Sequence, residues 1–155
     1  MDSNLNEKLA DVFREIIEQL AFMFAEPVEK AEVPGVSGDT LGIRMEFSGP
    51  FAGRLSLAAS RSEGVEVAAN ILGLDSDDPS AQVRAEDALK EVLNVTCGRL
   101  LTELAGAEPV FQLTVPQSIP LDAQAWAAML AADGTQAFDV DGNYVLLSVE
   151  VNSEG

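Results

Sequence analysis

Asp87-Ala-Leu-Lys-Glu91-Val-Leu-Asn94-Val-Thr-Cys97-Gly98 is the stretch that decides the reading of this chain. Wound at about 100° per residue, it separates into an apolar stripe and a polar stripe on opposite sides of one helix. Leu89, Leu93, Thr96, Leu100 and Leu104 recur at helical spacing as a core-facing seam, widened by Val92 and Leu101. Asp87, Glu91, Asn94 and Gly98 lie opposite, each one turn from the next. Asp and Asn are mediocre helix formers, and a mid-helix Gly costs about 1 kcal/mol relative to Ala. Helix stability does not account for such a row, so it is expected to serve something else.

Outward from this helix, read as about Ala85 to Leu104, the chain divides into recognisable pieces. Leu5, Leu9, Val12, Phe13, Ile16, Ile17, Leu20 and Phe24 trace a first long helix behind the cap candidates Ser3 and Asn4, with Pro27 ending the run. Arg44-Met45-Glu46-Phe47 and Gly53-Arg54-Leu55-Ser56-Leu57 flank Ser48-Gly49-Pro50 and read as a β-hairpin. Ser62 is the expected cap of a shorter helix carrying Val65, Ala68, Ala69, Ile71 and Leu72, and Gly73 to Ser80 follows as an acidic loop. Beyond the second long helix, Pro109 to Val115 is expected as a strand, while Ala125 to Ala131 fits helix or strand. Asp141-Gly142-Asn143 then joins Ala137 to Val140 and Tyr144 to Val151 as a hairpin.

Both halves thus run from a long helix into strands. Ala25-Glu26-Pro27-Val28 after the first helix returns as Ala107-Glu108-Pro109-Val110 after the second, 82 residues later. Together these suggest a duplicated α+β unit, with two long helices covering one face of a largely antiparallel sheet. In that register Glu91 and Asn94 fall on Leu9 and Val12, which are core-type residues, so any active site is expected once.

Length and composition bound the rest. A chain of 155 residues that is 47% hydrophobic fits one domain, residues 1–155, with a sizeable core. Twenty-six acidic against nine basic side chains leave a formal charge of -17, which repels phosphate backbones and anionic membrane surfaces, so no nucleic-acid or membrane partner is expected. The single Cys97 makes no internal disulfide, the opening Met-Asp-Ser-Asn-Leu-Asn-Glu lacks the features of a signal peptide, and no apolar run nears the roughly 18 residues of a membrane span. The expected compartment is the cytoplasm.

The polar row presents a carboxylate and a carboxamide side by side. A rigidly mounted carboxamide accepts one hydrogen of a water molecule through its oxygen and so aims the water's lone pair without removing a proton. In phosphoryl transfer, positioning of that kind supplies much of the catalysis. Gly98 leaves a notch where another protein's backbone can approach, or else relaxes a packing contact. With no histidine, a histidine-based triad or metal site is excluded, and Cys97 lies about 100° from the centre of the row, which disfavours it as a nucleophile.

Asp87-x-x-x-Glu91-x-x-Asn94 resembles the signature of the CheC/CheX/FliY chemotaxis phosphatases, and in particular their single-site, CheX-like members. Met45 to Leu55 resembles the hairpin that precedes the motif helix in that family. Val65 to Leu74 resembles its Ala-rich short helix, and Pro116 is the candidate for a proline some twenty residues past the Asn. The similarity covers about residues 1 to 151. It implies a pseudo-duplicated CheC/CheX-like fold and hydrolysis of the aspartyl phosphate on a CheY-type receiver domain. Asn94 would orient the attacking water and Glu91 would pair with the receiver's active-site lysine. Asp87 and Gly98 would support partner binding, Asp87 also suiting the first turn of the helix, where a carboxylate complements the dipole. No metal or cofactor is expected in this chain, Mg²⁺ residing on the receiver, and the resemblance also implies a homodimer formed through sheet edges.

Two other classes stay open at this point. The same helix face would also serve a non-catalytic module that binds a receiver or a signalling complex, and a small-molecule hydrolase would need a concave site with a second convergent carboxylate. Asp75, Asp77 and Asp78 lack the glycine and glutamate of a calcium loop and read as solvated acids. Cys97, Phe13, Phe24 and Trp126 read as packing residues.

Overall fold

The computed structural model describes residues 3–36 and 39–152. Among them the chain runs α1 (Ser3–Ala21), β1 (Ala25–Val28), a 3-10 turn (Lys30–Glu32), β2 (Thr40–Ser48), β3 (Ala52–Ser60), α2 (Arg61–Leu72) and α3 (Pro79–Val83). It continues through α4 (Ala85–Ala105), β4 (Gln112–Leu113), β5 (Gln117–Ile119), α5 (Ala123–Ala131), β6 (Thr135–Val140) and β7 (Asn143–Asn152).

Strict alternation along the strands makes one apolar face. Leu41, Ile43, Met45 and Phe47 of β2, Leu55, Leu57 and Ala59 of β3, Phe138 and Val140 of β6, and Val145, Leu147 and Val149 of β7 all enter the main core. Register stacks them, with Leu57 opposite both Ile43 and Leu147. The helices α1, α2 and α4 cover this face, bringing Leu9, Phe13, Ile16, Leu89, Leu93 and Leu100 onto it. The result is the expected α+β architecture, a largely antiparallel sheet under long helices. Intervening residues serve the other face, where Trp126 of α5 packs with Val33, Ala58, Ala137 and Leu146. Further along it, Glu46, Arg54 and Glu150 stand directly opposite one another on β2, β3 and β7, Arg54 pairing with Glu150 at 2.5 Å.

Strand order is β1-β6-β7-β3-β2-β4, with β5 also on β2 and every pairing antiparallel. The order bears out the duplication. Hairpin β2–β3 and hairpin β6–β7 meet at the centre through β3 and β7, while β1 borders the second hairpin and β4 and β5 border the first. The four-letter repeat is less faithful than the topology, since Ala25–Val28 is β1 whereas residues 107–110 lie in bends before β4.

Several local expectations need correcting. The first helix ends at Ala21, because Phe22 takes a left-handed conformation (φ 57) and donates its N–H to the Glu18 carbonyl at 2.9 Å. Asn70 of α2 adds a bond to the Ala21 carbonyl at 2.8 Å. Phe24 therefore leaves the helical register and is 63% exposed, so it is not a packing residue. Since α1 begins at Ser3, Asn4 is already helical, and the Ser3 side chain lies outside the described residues. Ser60, not Ser62, caps α2, its hydroxyl accepting from the Glu63 N–H at 3.1 Å. The acidic loop contains α3, capped by Asp78 through the Ser80 N–H at 2.8 Å and opened by Pro79. Of Pro109 to Val115, Gln112–Leu113 is strand, and the ambiguous Ala125 to Ala131 belongs to α5.

Candidate functional site

The site is built on α4, whose two sides are held by different elements. Gly64 of α2 faces the start of α4 so closely that a β-carbon there would stand 3.1 Å from the Ala85 carbonyl oxygen and 3.2 Å from Leu89. Glu86 in the first turn accepts a hydrogen bond from Ser118 of β5, and Arg99 pairs with Glu15 of α1. Leu93, Leu100 and Val92 are fully buried beneath. A helix fixed along its length in this way holds its outward side chains in defined places.

Asp87, Glu91 and Asn94 are all exposed on that outward row, and Gly98 is half-buried at its end. Neighbours at i and i+3 have Cβ atoms about 5–6 Å apart, so Glu91 and Asn94 act on one patch of surface. A β-carbon built on Gly98 would meet nothing within 4 Å, so packing inside the molecule does not require a glycine there. The corresponding residues of α1, Leu9 and Val12, are buried at 0% and 5% exposure, so α1 offers no second row in that register. The first turn of α4 holds Glu86 and Asp87, where carboxylates suit the helix dipole.

Of the four residues read as packing groups, Cys97, Phe13 and Trp126 behave so and Phe24 does not. Cys97 is fully buried, and burial pushes its thiol up to about 12, far from a reactive thiolate. Phe13 stacks at a tilt on Phe138 with ring centroids 4.9 Å apart, and the Trp126 indole donates to the Pro34 carbonyl at 3.3 Å. Among the described residues no group of three His, Cys, Asp or Glu side chains is placed to hold a metal ion, and no helix is long and apolar enough to cross a membrane.

Two features escaped the sequence. Glu63 is 1% exposed in the first turn of α2; its Oε1 accepts from Asn143 at 3.0 Å, while its buried Oε2 has no partner among the described residues. Burial raises its carboxyl to about 8, with Glu66, Asp141 and Asp139 adding to the rise against the Asn143 bond. The spacing Ser60-x-x-Glu63 is the one sequence signal that pointed to this position. The second feature is a hollow between the end of α2 and the start of α4, bordered by Asp87 and Glu91.

A duplicated antiparallel sheet with α1, α2 and α4 on one face, and an outward Glu/Asn row on α4, place the molecule in the class of the CheC/CheX-like chemotaxis phosphatase folds. The family described as chemotaxis phosphatase CheX matches residues 41–132, and the chain belongs to it. No curated protein matches the chain in sequence. Similar solved structures include the chemotaxis protein CheX of Desulfovibrio desulfuricans, with a TM-score of 0.70 at 14% identity over 96% of this chain and 99% of that one. The CheX–CheY–BeF3–Mg²⁺ complex of Borrelia burgdorferi matches with a TM-score of 0.63 at 18% identity over 95% and 97%. A CheC-like superfamily protein of Shewanella matches at 0.61 and 18% over 97% and 99%. At these identities the likeness concerns the fold.

Proposed function

We propose that the chain hydrolyses the aspartyl phosphate of a CheY-type receiver domain, with Asn94 and Glu91 as its working residues. The observation that carries this reading is an exposed Asn94 carboxamide on a helix anchored along both sides. Its relative from Borrelia burgdorferi was solved with CheY, BeF3 and Mg²⁺, which supports a partner of the same kind.

An acyl phosphate needs no strong nucleophile. The Asn94 oxygen accepts a hydrogen bond from a water molecule and aims the water's lone pair at phosphorus. As the new P–O bond forms, the bond to the aspartyl oxygen breaks, the receiver's carboxylate leaves with the electron pair, and the water proton departs with inorganic phosphate. The receiver brings its own Mg²⁺ and lysine for the charge on the phosphoryl oxygens, so this chain supplies position. Glu91 pairs with that lysine and sets the docking register, and Asp87 adds negative potential one turn earlier. Gly98 leaves room for the receiver's backbone. The proposal includes a homodimer through a sheet edge, and the β4–β5 edge, beside which Val110, Leu113 and Val115 are exposed, is the one that supports it.

The test follows decay of a phosphorylated, Mg²⁺-loaded receiver. Asn94→Ala is expected to lower kcat about 100-fold, the scale of a misplaced reacting group, and Glu91→Ala to raise KM as a charge pair is lost. Equal decay with wild type and both variants overturns catalysis. Binding without any rate effect would leave the row as an interface alone.

A further inference from the structure

The hollow bordering the outward row measures about 140 Å³. Its floor is Ala68 of α2 and Ala88 of α4, both buried, and its wall is Ile71 and Leu72 in the last turn of α2. Ile71 and Leu72 remain 36% and 43% exposed, and none of the described residues fills the space beside them. Arg84, Asp87 and Glu91 complete the lining, all three exposed. An apolar centre with charged groups around it is the anatomy of a small interface core with its rim.

We propose that this hollow receives one apolar side chain from the surface of the phosphorylated receiver, next to its acyl-phosphate pocket, and thereby anchors the receiver beside Glu91 and Asn94. The inference rests on the reading of the row given above. Position is the main argument, since Glu91 belongs both to the row and to the hollow, and a body that reaches Asn94 from outside covers both. Size agrees, because an apolar cavity of about 150 Å³ accepts a molecule as large as benzene, which is the scale of a single large side chain. Charge selects the occupant. Arg84 is the one cation of this lining against Asp87 and Glu91, so a second copy docked here across a two-fold axis would bring two net-acidic linings, on chains each of formal charge -17, face to face. A receiver instead offers its lysine to Glu91.

An anchor of this kind is formed before the reaction and persists through it, so it contributes to KM and leaves kcat alone. That separates it from Asn94, whose loss acts on kcat. It also gives Ile71 and Leu72 a part in choosing among receivers, because the fit of one side chain is a question of shape.

The experiment titrates the full chain with a panel of CheY-type receivers from the same cells, each loaded with Mg²⁺ and beryllofluoride, and then measures turnover of the phosphorylated forms. Ile71→Ser and Leu72→Ser change exposed side chains, and their melting curves verify that the fold is kept. Each is expected to weaken Kd and raise KM about tenfold, the scale of one lost apolar contact, with kcat held within about twofold. Leu72→Met, which keeps apolar volume, is expected to stay near wild type. Unchanged Kd and KM in both Ser variants overturn the anchor and leave the phosphatase reading standing. Wild-type binding without hydrolysis removes the phosphatase reading, and the anchor is then judged by Kd alone. A wild type that binds no receiver overturns both.

Discussion

Gly98 is the residue at which helix stability and the proposed docking of a receiver make opposite demands. A β-carbon there would meet none of the described residues within 4 Å apart from its own helix backbone, and alanine in a helix interior is better than glycine by about 1 kcal/mol. Gly98→Ala is therefore expected to raise the melting temperature by about 2–4 °C while raising KM for the phosphorylated receiver. A thermal melt beside a turnover assay checks both, and a stabilised variant with unaltered KM would reduce Gly98 to an accident. The outward row was legible in the sequence because Asp87, Glu91, Asn94 and Gly98 fall at helical spacing opposite a leucine seam. Phe24 was illegible for the matching reason. Its spacing continues the pattern of α1, and the left-handed Phe22 that ends the helix two residues earlier carries no compositional mark.

Among the elements, α2 carries the greatest internal tension. Its first turn buries Glu63 against Asn143 of β7, and its last turn walls the hollow beside Glu91. The folded carboxyl keeps its proton up to about pH 8, whereas the unfolded chain releases it near 4.5. Between those values the unfolded state binds fewer protons, so this group lowers stability as pH rises through the window, by up to about tenfold in the folding equilibrium per pH unit, and its effect levels off above it. Glu63→Gln keeps an oxygen for the Asn143 bond and carries no charge. It is expected to match wild type at the acid end and to exceed it increasingly toward pH 8, as read from denaturant midpoints across that range. Parallel midpoints for the two proteins would show that Glu63 is ionised at little cost. Sequence reading recovered the long elements and missed the short ones. α4 carries its own periodicity, but α3 depends on an Asp78-Pro79 cap, and β4 exists because two residues of a loop reach the edge of β2. Trp126 was legible as a packing residue, yet Ala-rich α5 has no face that marks it as the cover of the second side of the sheet.

At the scale of the whole molecule the charge dominates. With 26 acidic and nine basic side chains on a small body, like charges repel across the surface, and exposed ion pairs such as Arg61 with Asp39 relieve little of it. Raising NaCl from about 0.01 M to about 1 M shortens the screening length from about 30 Å to about 3 Å. The melting temperature is expected to rise along that series, and a fall would mean that attractive pairs outweigh the net field. The duplicated topology was foreseen from the order of long helix and strands, but the way the halves share a sheet was not, because strand order is a matter of which edges meet and leaves no trace in local pattern.

That sharing makes the two halves mutually dependent. β1 finds its neighbour in the later hairpin, and β4 and β5 find theirs in the earlier one. Severed between α2 and α3, each fragment would be left with raw backbone along its border that the other fragment alone can satisfy. A repeat interleaved in this way cannot be halved by deletion. The half that bears Glu91 and Asn94 needs the other as a mould, and the other half keeps its place in the chain by completing the sheet beneath α4.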